Sequence, residues 1–253
     1  MSQNKSFLNA KSESNNDEVH WLSVSDLMAG LMMVFLFISV ALIRDAKKTT
    51  IDIEDLLNSY TNTQVALHEA LHQEFDPDLD VWGAEINEKT LSFVFKSPDV
   101  LFDTGEITIK SGFKKILDDF FPRYLKVLKK FDISIDKGDQ NKQNSFIQEV
   151  RIEGHTSSIW NHSTEPDKAY FNNMWLSQGR TRSVLQHVYS IGAVVNDKPW
   201  VKNHIAAVGF SSSKIIIDEN NKEDKERSRR VEFRVITNAE QQLKNVIDRL
   251  KKK

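Results

Sequence analysis

Between Leu27 and Ile43 the chain reads LMAGLMMVFLFISVALI, about seventeen residues without a charge, and counting back to Trp21 gives about 23. At roughly 1.5 Å per residue, a helix of that length crosses a ~30 Å hydrocarbon core. A transmembrane helix over residues 21–43 is therefore expected. A cleaved signal peptide fits worse. Asp17 and Glu18 sit in the leader, the apolar stretch exceeds the usual signal core, and no small-residue cleavage site precedes Arg44.

The averages over the whole chain hide this segment. The 253 residues carry 34 Lys+Arg against 36 Asp+Glu, a net charge of -2, which offers no basic surface for nucleic acid. Residues 1–20 hold only Phe7, Leu8 and Val19 as sizeable apolar groups, so a disordered tail is expected there. The chain has no cysteine, which excludes disulfides, Cys-ligated zinc, Fe–S clusters, thiol catalysis and an acylated-cysteine anchor such as that of an outer-membrane lipoprotein.

After Arg44 the residues Ile53, Leu57, Tyr60, Gln64, Leu67 and Leu71 recur at alternating spacings of four and three. This linker helix, over 44–88, serves either as a short dimeric seam or as an amphipathic helix lying on its own domain. The stretch Phe75 to Asp80, with Pro77 in an acidic run, is expected to break it. From Lys89 short strands alternate with helices. The strands are Leu91–Phe95, Val150–Ile152, Ile205–Val208 and Val231–Val235, and the helices Ser111–Lys130 and Leu176–Ile191. The order β-α-β-α-β-β predicts an α/β domain over 89–237, a mixed sheet with its helices on one face. Ser211 to Ser228 reads as a solvated loop, and 238–253 as a basic C-terminal helix.

Asp26 stands near the start of the apolar helix, where a charge costs at least ~2.5 kcal/mol and is retained chiefly where it functions. It shares a helix face with Ala29, Gly30, Met33 and Phe37, small residues that admit a second helix followed by bulk that packs it. A carboxyl there can exchange a proton with whichever water-filled side it meets. One helix makes no channel, so partner helices from other chains are required.

The string Trp21-Leu-Ser-Val-Ser-Asp26-Leu-Met28-Ala-Gly-Leu-Met32-Met33-Val-Phe35 resembles the single membrane helix of flagellar stator B subunits of the MotB family. The C-terminal half resembles the OmpA-like peptidoglycan-binding domain. Its motifs stand here as Leu101-Phe102-Asp103, Ile152-Glu-Gly154-His155-Thr156, Asn173-x-x-Leu176-Ser177-x-x-Arg180, Gly209, and Arg229-Arg230-Val231-Glu232. Within this superfamily the Ser-Asp-Leu-Met-x-x-Leu-Met-Met form is most similar to the B subunits of the Zorya anti-phage defence system.

The resemblance implies an inner-membrane complex in which two B subunits thread a ring of A subunits. Asp26 would carry the ion, H⁺ or Na⁺, and the C-terminal domains would dimerise and grip peptidoglycan. It also implies that Phe102, Asp103, Thr156, Asn173, Leu176 and Arg180 line a diaminopimelate pocket. A planar Arg fork suits the carboxylates of the wall peptide. The family carries an acidic residue directly after Gly-His-Thr for the ligand's ammonium; this chain has Ser157 and Ser158, leaving Asp103, or the loop residues Trp160, Asn161 and His162, to compensate.

Orientation has two indicators. Lys5 and Lys11 precede the span while Arg44, Lys47 and Lys48 follow it, a bare count that slightly favours a cytoplasmic C-terminus. The resemblance requires the reverse, a cytoplasmic tail and a periplasmic domain, and one extra cation is a thin margin against it. Two other roles fit the same pattern: a flagellar-type stator turning ion flow into torque, and a passive wall tether. No enzyme and no cofactor is expected. His68-Glu69-Ala-Leu-His72 does match the H-E-x-x-H zinc-protease pattern, with Glu88 as a third ligand. It falls on the linker, with nothing upstream to build a catalytic cleft.

Overall fold

The computed structural model describes residues 6–96, 101–132, 145–161 and 163–238. It divides into two units, 1–57 and 58–253. Helix α1 (Ser6–Trp82) runs through the first unit and supplies the opening helix of the second. Within the first unit, Val24–Lys48 is long and apolar enough to cross a membrane, and the apolar side chains described there are exposed. The backbone is helical from Ser6, where the polar composition predicts disorder. Once a long helix is nucleated, extending it fixes one residue per added hydrogen bond, and no core is needed.

The second unit begins inside α1. Tyr60, Leu67, Leu71, Phe75 and Trp82 are buried in its core, so this part of the linker is the amphipathic helix of its own domain. Ile53 and Leu57, at the head of the same repeat, remain partly or largely exposed. The expected break at Phe75–Asp80 does not occur, and Pro77 lies inside the helix. Proline weakens the preceding turn, and there Arg123 steps in: Nη2 donates to the Glu74 carbonyl at 2.6 Å, while Nε pairs with Glu74 and Nη1 with Asp78. The helix ends at Gly83, whose φ of 60° is the left-handed conformation of a C-terminal cap.

A five-stranded sheet follows, in the order β1-β2-β7-β3-β4. Its strands are β1 (Ala84–Asn87), β2 (Ser92–Phe95), β3 (Ile147–His155), β4 (Ile205–Gly209) and β7 (Arg230–Thr237). Only β3 and β4 are parallel; the other neighbours run antiparallel. Helices α2 (Ser111–Phe131) and α3 (Pro166–Ser190) make the crossovers, followed by a 3₁₀ turn (Gly192–Asp197) and α4 (Lys198–His204). The expected strands and both long helices are present in the expected order. The sequence pattern missed β1, and the compact unit begins at Asn58 rather than residue 89 because the end of α1 packs into its core. The C-terminal helix expected after Asn238 lies outside the described residues.

The core forms where α1, α2 and α3 cover one face of the sheet. Phe120 of α2 sits at its centre, with ring centroids 4.5 Å from Phe93, 5.3 Å from Phe75 and 5.1 Å from Phe95 and from Phe233. Such tilted and edge-on pairs add about 0.5–1.5 kcal/mol each beyond area burial. The segment 211–228 is not simply solvated. It folds into a hairpin of β5 (Ile216–Ile217) and β6 (Glu223–Asp224) and a turn of helix α5 (Lys225–Ser228), with Ser211 and Ser228 fully buried.

Candidate functional site

Asp26 lies two residues inside the apolar span, and it is the sole ionisable group between Val24 and Ile43. Its side chain is exposed, as are those of Ala29, Met33 and Phe37 on the same helix face. A Cβ added at Gly30 would meet nothing within 4 Å, so this face is open to close approach by another helix.

The second candidate site is a cavity of about 280 Å³ in the α/β unit, at the C-terminal end of β3. Phe102, Thr156, Asn173, Leu176 and Arg180 all line it, as do Ser157, Trp160 and Arg229. Strand β3 delivers Thr156 and Ser157 as it leaves the sheet. Asn173, Leu176 and Arg180 lie at successive turns of α3 and so face the same way. Asn173 stands two turns inside α3, and its buried Nδ2 donates to the Ser157 carbonyl at 3.1 Å, tying helix to strand exit. Ser177, between them, accepts from the Ser211 backbone N–H and donates to the Met174 carbonyl. Gly154 and Gly209 let α3 press onto the sheet, since a Cβ on either would stand within 3 Å of α3 backbone atoms.

Arg180 donates from Nε to the Glu106 carbonyl at 2.9 Å and from Nη2 to the Asp103 carbonyl at 3.0 Å, and its guanidinium carbon lies 4.8 Å from the Phe102 ring centroid. Burial, and secondarily the nearby Arg229 charge, lower its pKa to about 10. It stays a cation at neutral pH. Arg229 Nε and Thr156 Oγ1 are buried and have no hydrogen-bond partner among the described residues. Arg180 and Arg229 line a cavity that no carboxylate of the described residues lines, an arrangement complementary to a ligand carboxylate.

Asp103 takes part through its backbone only. Its carboxylate pairs with Lys110 at 2.9 Å and is absent from the cavity lining. The acidic group missing at Ser157 is not replaced there. Glu223 of β6 comes nearby, accepting from the Ser158 N–H at 2.8 Å and from its hydroxyl at 2.5 Å, but it too lies outside the lining. Trp160 does line the cavity, Asn161 caps its own loop by accepting from Ser163 and Thr164, and His162 lies outside the described residues.

The Zorya protein ZorB of Escherichia coli (strain Crooks) is 52% identical to this chain over 233 residues, which is 92% of this chain and 94% of that protein. The chain belongs to the ZorB family. No protein-family model matches this ZorB homologue. Among solved structures it is similar to the cell wall anchor of the T6SS from Pseudomonas aeruginosa, at 18% identity and a TM-score of 0.42, covering 66% of this chain and 96% of that one. It is also similar to a MotB-like protein from Desulfovibrio vulgaris, at 17% identity and a TM-score of 0.42, covering 72% and 93%.

Arg229 is the charged cavity residue that sequence reasoning did not assign to the site, and Thr104, Gly105 and Ile159 line it too. The signal was present in the adjacent pair Arg229-Arg230 at the mouth of the last strand. The H-E-x-x-H pair of this ZorB-family chain does meet on α1, His68 and His72 with Nε2 atoms 3.1 Å apart. His72 Nδ1 bonds Asp76, and Glu88 is exposed and joins no cluster of three ligands among the described residues.

Proposed function

We propose that this chain is the B subunit of a proton-driven, peptidoglycan-anchored inner-membrane motor complex acting in anti-phage defence, with Asp26 carrying the ion. The observation that carries the reading is Asp26, the sole ionisable side chain in the span from Val24 to Ile43, exposed on a face that Gly30 leaves open. Kinship with ZorB supports the defence role. Two copies of the span thread a ring of A subunits, whose helices complete the proton path around Asp26. The tail is cytoplasmic and the α/β domain periplasmic, because a wall-binding domain works only there. In that domain Phe102, Thr156, Asn173, Leu176 and Arg180 hold a carboxylate of the wall peptide, with Asp103 shaping the loop through its backbone.

The test is cytoplasmic pH in infected cells, read with a pH-sensitive fluorescent protein. Cells with the intact complex acidify on infection. Those with Asp26→Asn do not, although the variant still copurifies with its A subunit. Acidification that persists unchanged in Asp26→Asn contradicts the reading.

A further inference from the structure

On the sheet face turned away from α1–α3, Glu153 of β3 stands directly opposite Glu232 of β7, and His155 follows two residues on, on the same side. The His155 and Glu153 side chains are 2% and 3% exposed, and that of Glu232 is 10% exposed. Phe210 stacks on the imidazole, with ring centroids 5.3 Å apart and planes within 6°. Among the described residues neither nitrogen of His155 has a hydrogen-bond partner, and Glu153 Oε1 has none either. Buried polar atoms in this number are seldom left unpaired without a reason.

The spacing narrows the reason. His155 Nε2 lies 3.5 Å from Glu153 Oε2 and 3.7 Å from Glu232 Oε1, and one ligand atom from each residue fits within a 4.8 Å span. Direct charge-assisted hydrogen bonds would draw such atoms to about 2.7–2.9 Å. Bonds of ~2.0–2.1 Å to a tetrahedral ion instead set its ligands roughly 3.3–3.5 Å apart, which is the spacing approached here. One imidazole with two carboxylates suits a borderline ion rather than Mg²⁺ or Ca²⁺, which take oxygen sets. Arg230 Nε, at 2.5 Å from Glu232 Oε1, orients that ligand from outside.

We propose that Glu153, His155 and Glu232 bind one Zn²⁺ ion. Its role is structural. It pins the end of β3, from which Thr156 and Ser157 continue into the carboxylate-binding cavity, to the start of β7, where Arg229 enters the same cavity. The ion-binding claim stands whether or not that cavity holds the wall peptide.

The test uses the full chain in detergent, stripped with a chelator and titrated with Zn²⁺ alone, with metal analysis after dialysis. His68 and His72 are first replaced by alanine, so that the α1 pair contributes nothing. That protein retains one zinc per chain, and Zn²⁺ but not Mg²⁺ raises its thermal midpoint. Glu153→Gln and His155→Gln each weaken zinc binding by more than about 100-fold, given that even an outer-shell partner is worth ~10–100-fold. Should either variant fail to fold, the zinc stoichiometry and the Zn²⁺-specific rise in midpoint of the His68→Ala/His72→Ala protein decide alone. The proposal is overturned if that protein binds no zinc, if Mg²⁺ stabilises it equally, or if a folded Glu153→Gln binds zinc as tightly as before.

Discussion

Arg180 is held over Phe102, its guanidinium carbon 4.8 Å from the ring centroid, while its fork is anchored to the carbonyls of Asp103 and Glu106. The cation is thereby positioned before any ligand arrives, and Arg229 brings a second cation to the same cavity. Pre-positioned positive charge is the form a carboxylate site takes.

Arg229→Ala removes a cation that lines the cavity, with little effect on the fold. A hydrogen bond to a charged group is worth about 1.5–3 kcal/mol, so binding to isolated peptidoglycan falls by about 10–100-fold in a pelleting assay, with the thermal midpoint nearly unchanged. Arg180→Lys weakens binding too, because an ammonium cannot bridge two carbonyls and lie over a ring at once. Unchanged pelleting of Arg229→Ala removes the cavity from the account.

The pH dependence follows from the Arg180 pKa, lowered by burial to about 10 from the ordinary guanidinium range. Folding disfavours the charged form, so the unfolded chain binds more protons above about pH 10. This group's cost to stability is therefore fully present below about pH 10 and is relieved as pH rises beyond it. Carboxylate binding has the opposite trend, constant from pH 6 to 9 and weakening above about pH 10. Peptidoglycan pelleting across that range, run beside thermal unfolding, separates the two.

The fold was legible where periodicity met composition. Alternation found β2, β3, β4 and β7, and helical spacing found α2 and α3. It failed at Pro77, because a rule about isolated helices says nothing of Arg123 arriving from α2 to hold the weakened turn. It failed at β1, four residues whose pairing with β2 is a tertiary fact. The family resemblance singled out Asn173, Leu176 and Arg180, which helical spacing puts on one face and which line the cavity; spacing alone would have left them as a cap, a core residue and a solvated face. The remoteness of the Asp103 carboxylate was not legible, since its pairing with Lys110 depends on a loop geometry without a sequence period.

Because α1 contributes Leu67, Leu71, Phe75 and Trp82 to the core, the α/β unit needs that helix. A chain beginning at Asn58 folds on its own, and one beginning at Ala84 does not. Phe75→Ala costs about 3–5 kcal/mol of stability in denaturant unfolding. A cooperative transition in the shorter chain would show the α1 packing to be dispensable.

Gly154→Ala tests the contact between β3 and α3. Its Cβ would lie 2.7 Å from Thr181 Cγ2 and 2.9 Å from the Ser177 carbonyl, and a helix backbone cannot retreat cheaply. Destabilisation of about 1–3 kcal/mol is expected in denaturant unfolding, with weaker peptidoglycan binding as Thr156 shifts. Gly30→Leu is the contrast. Nothing within 4 Å opposes it in the single chain, so the α/β unit unfolds as before, while copurification of the A subunit is lost.

The central claim is that Asp26 carries the ion that powers defence, and phage plating on cells expressing the complex tests it most directly. Asp26→Asn keeps the side chain's shape and removes its charge and proton exchange. The account predicts that plating on Asp26→Asn cells rises to the level of undefended cells while the variant accumulates and copurifies with its partner normally. Full protection by Asp26→Asn would contradict it.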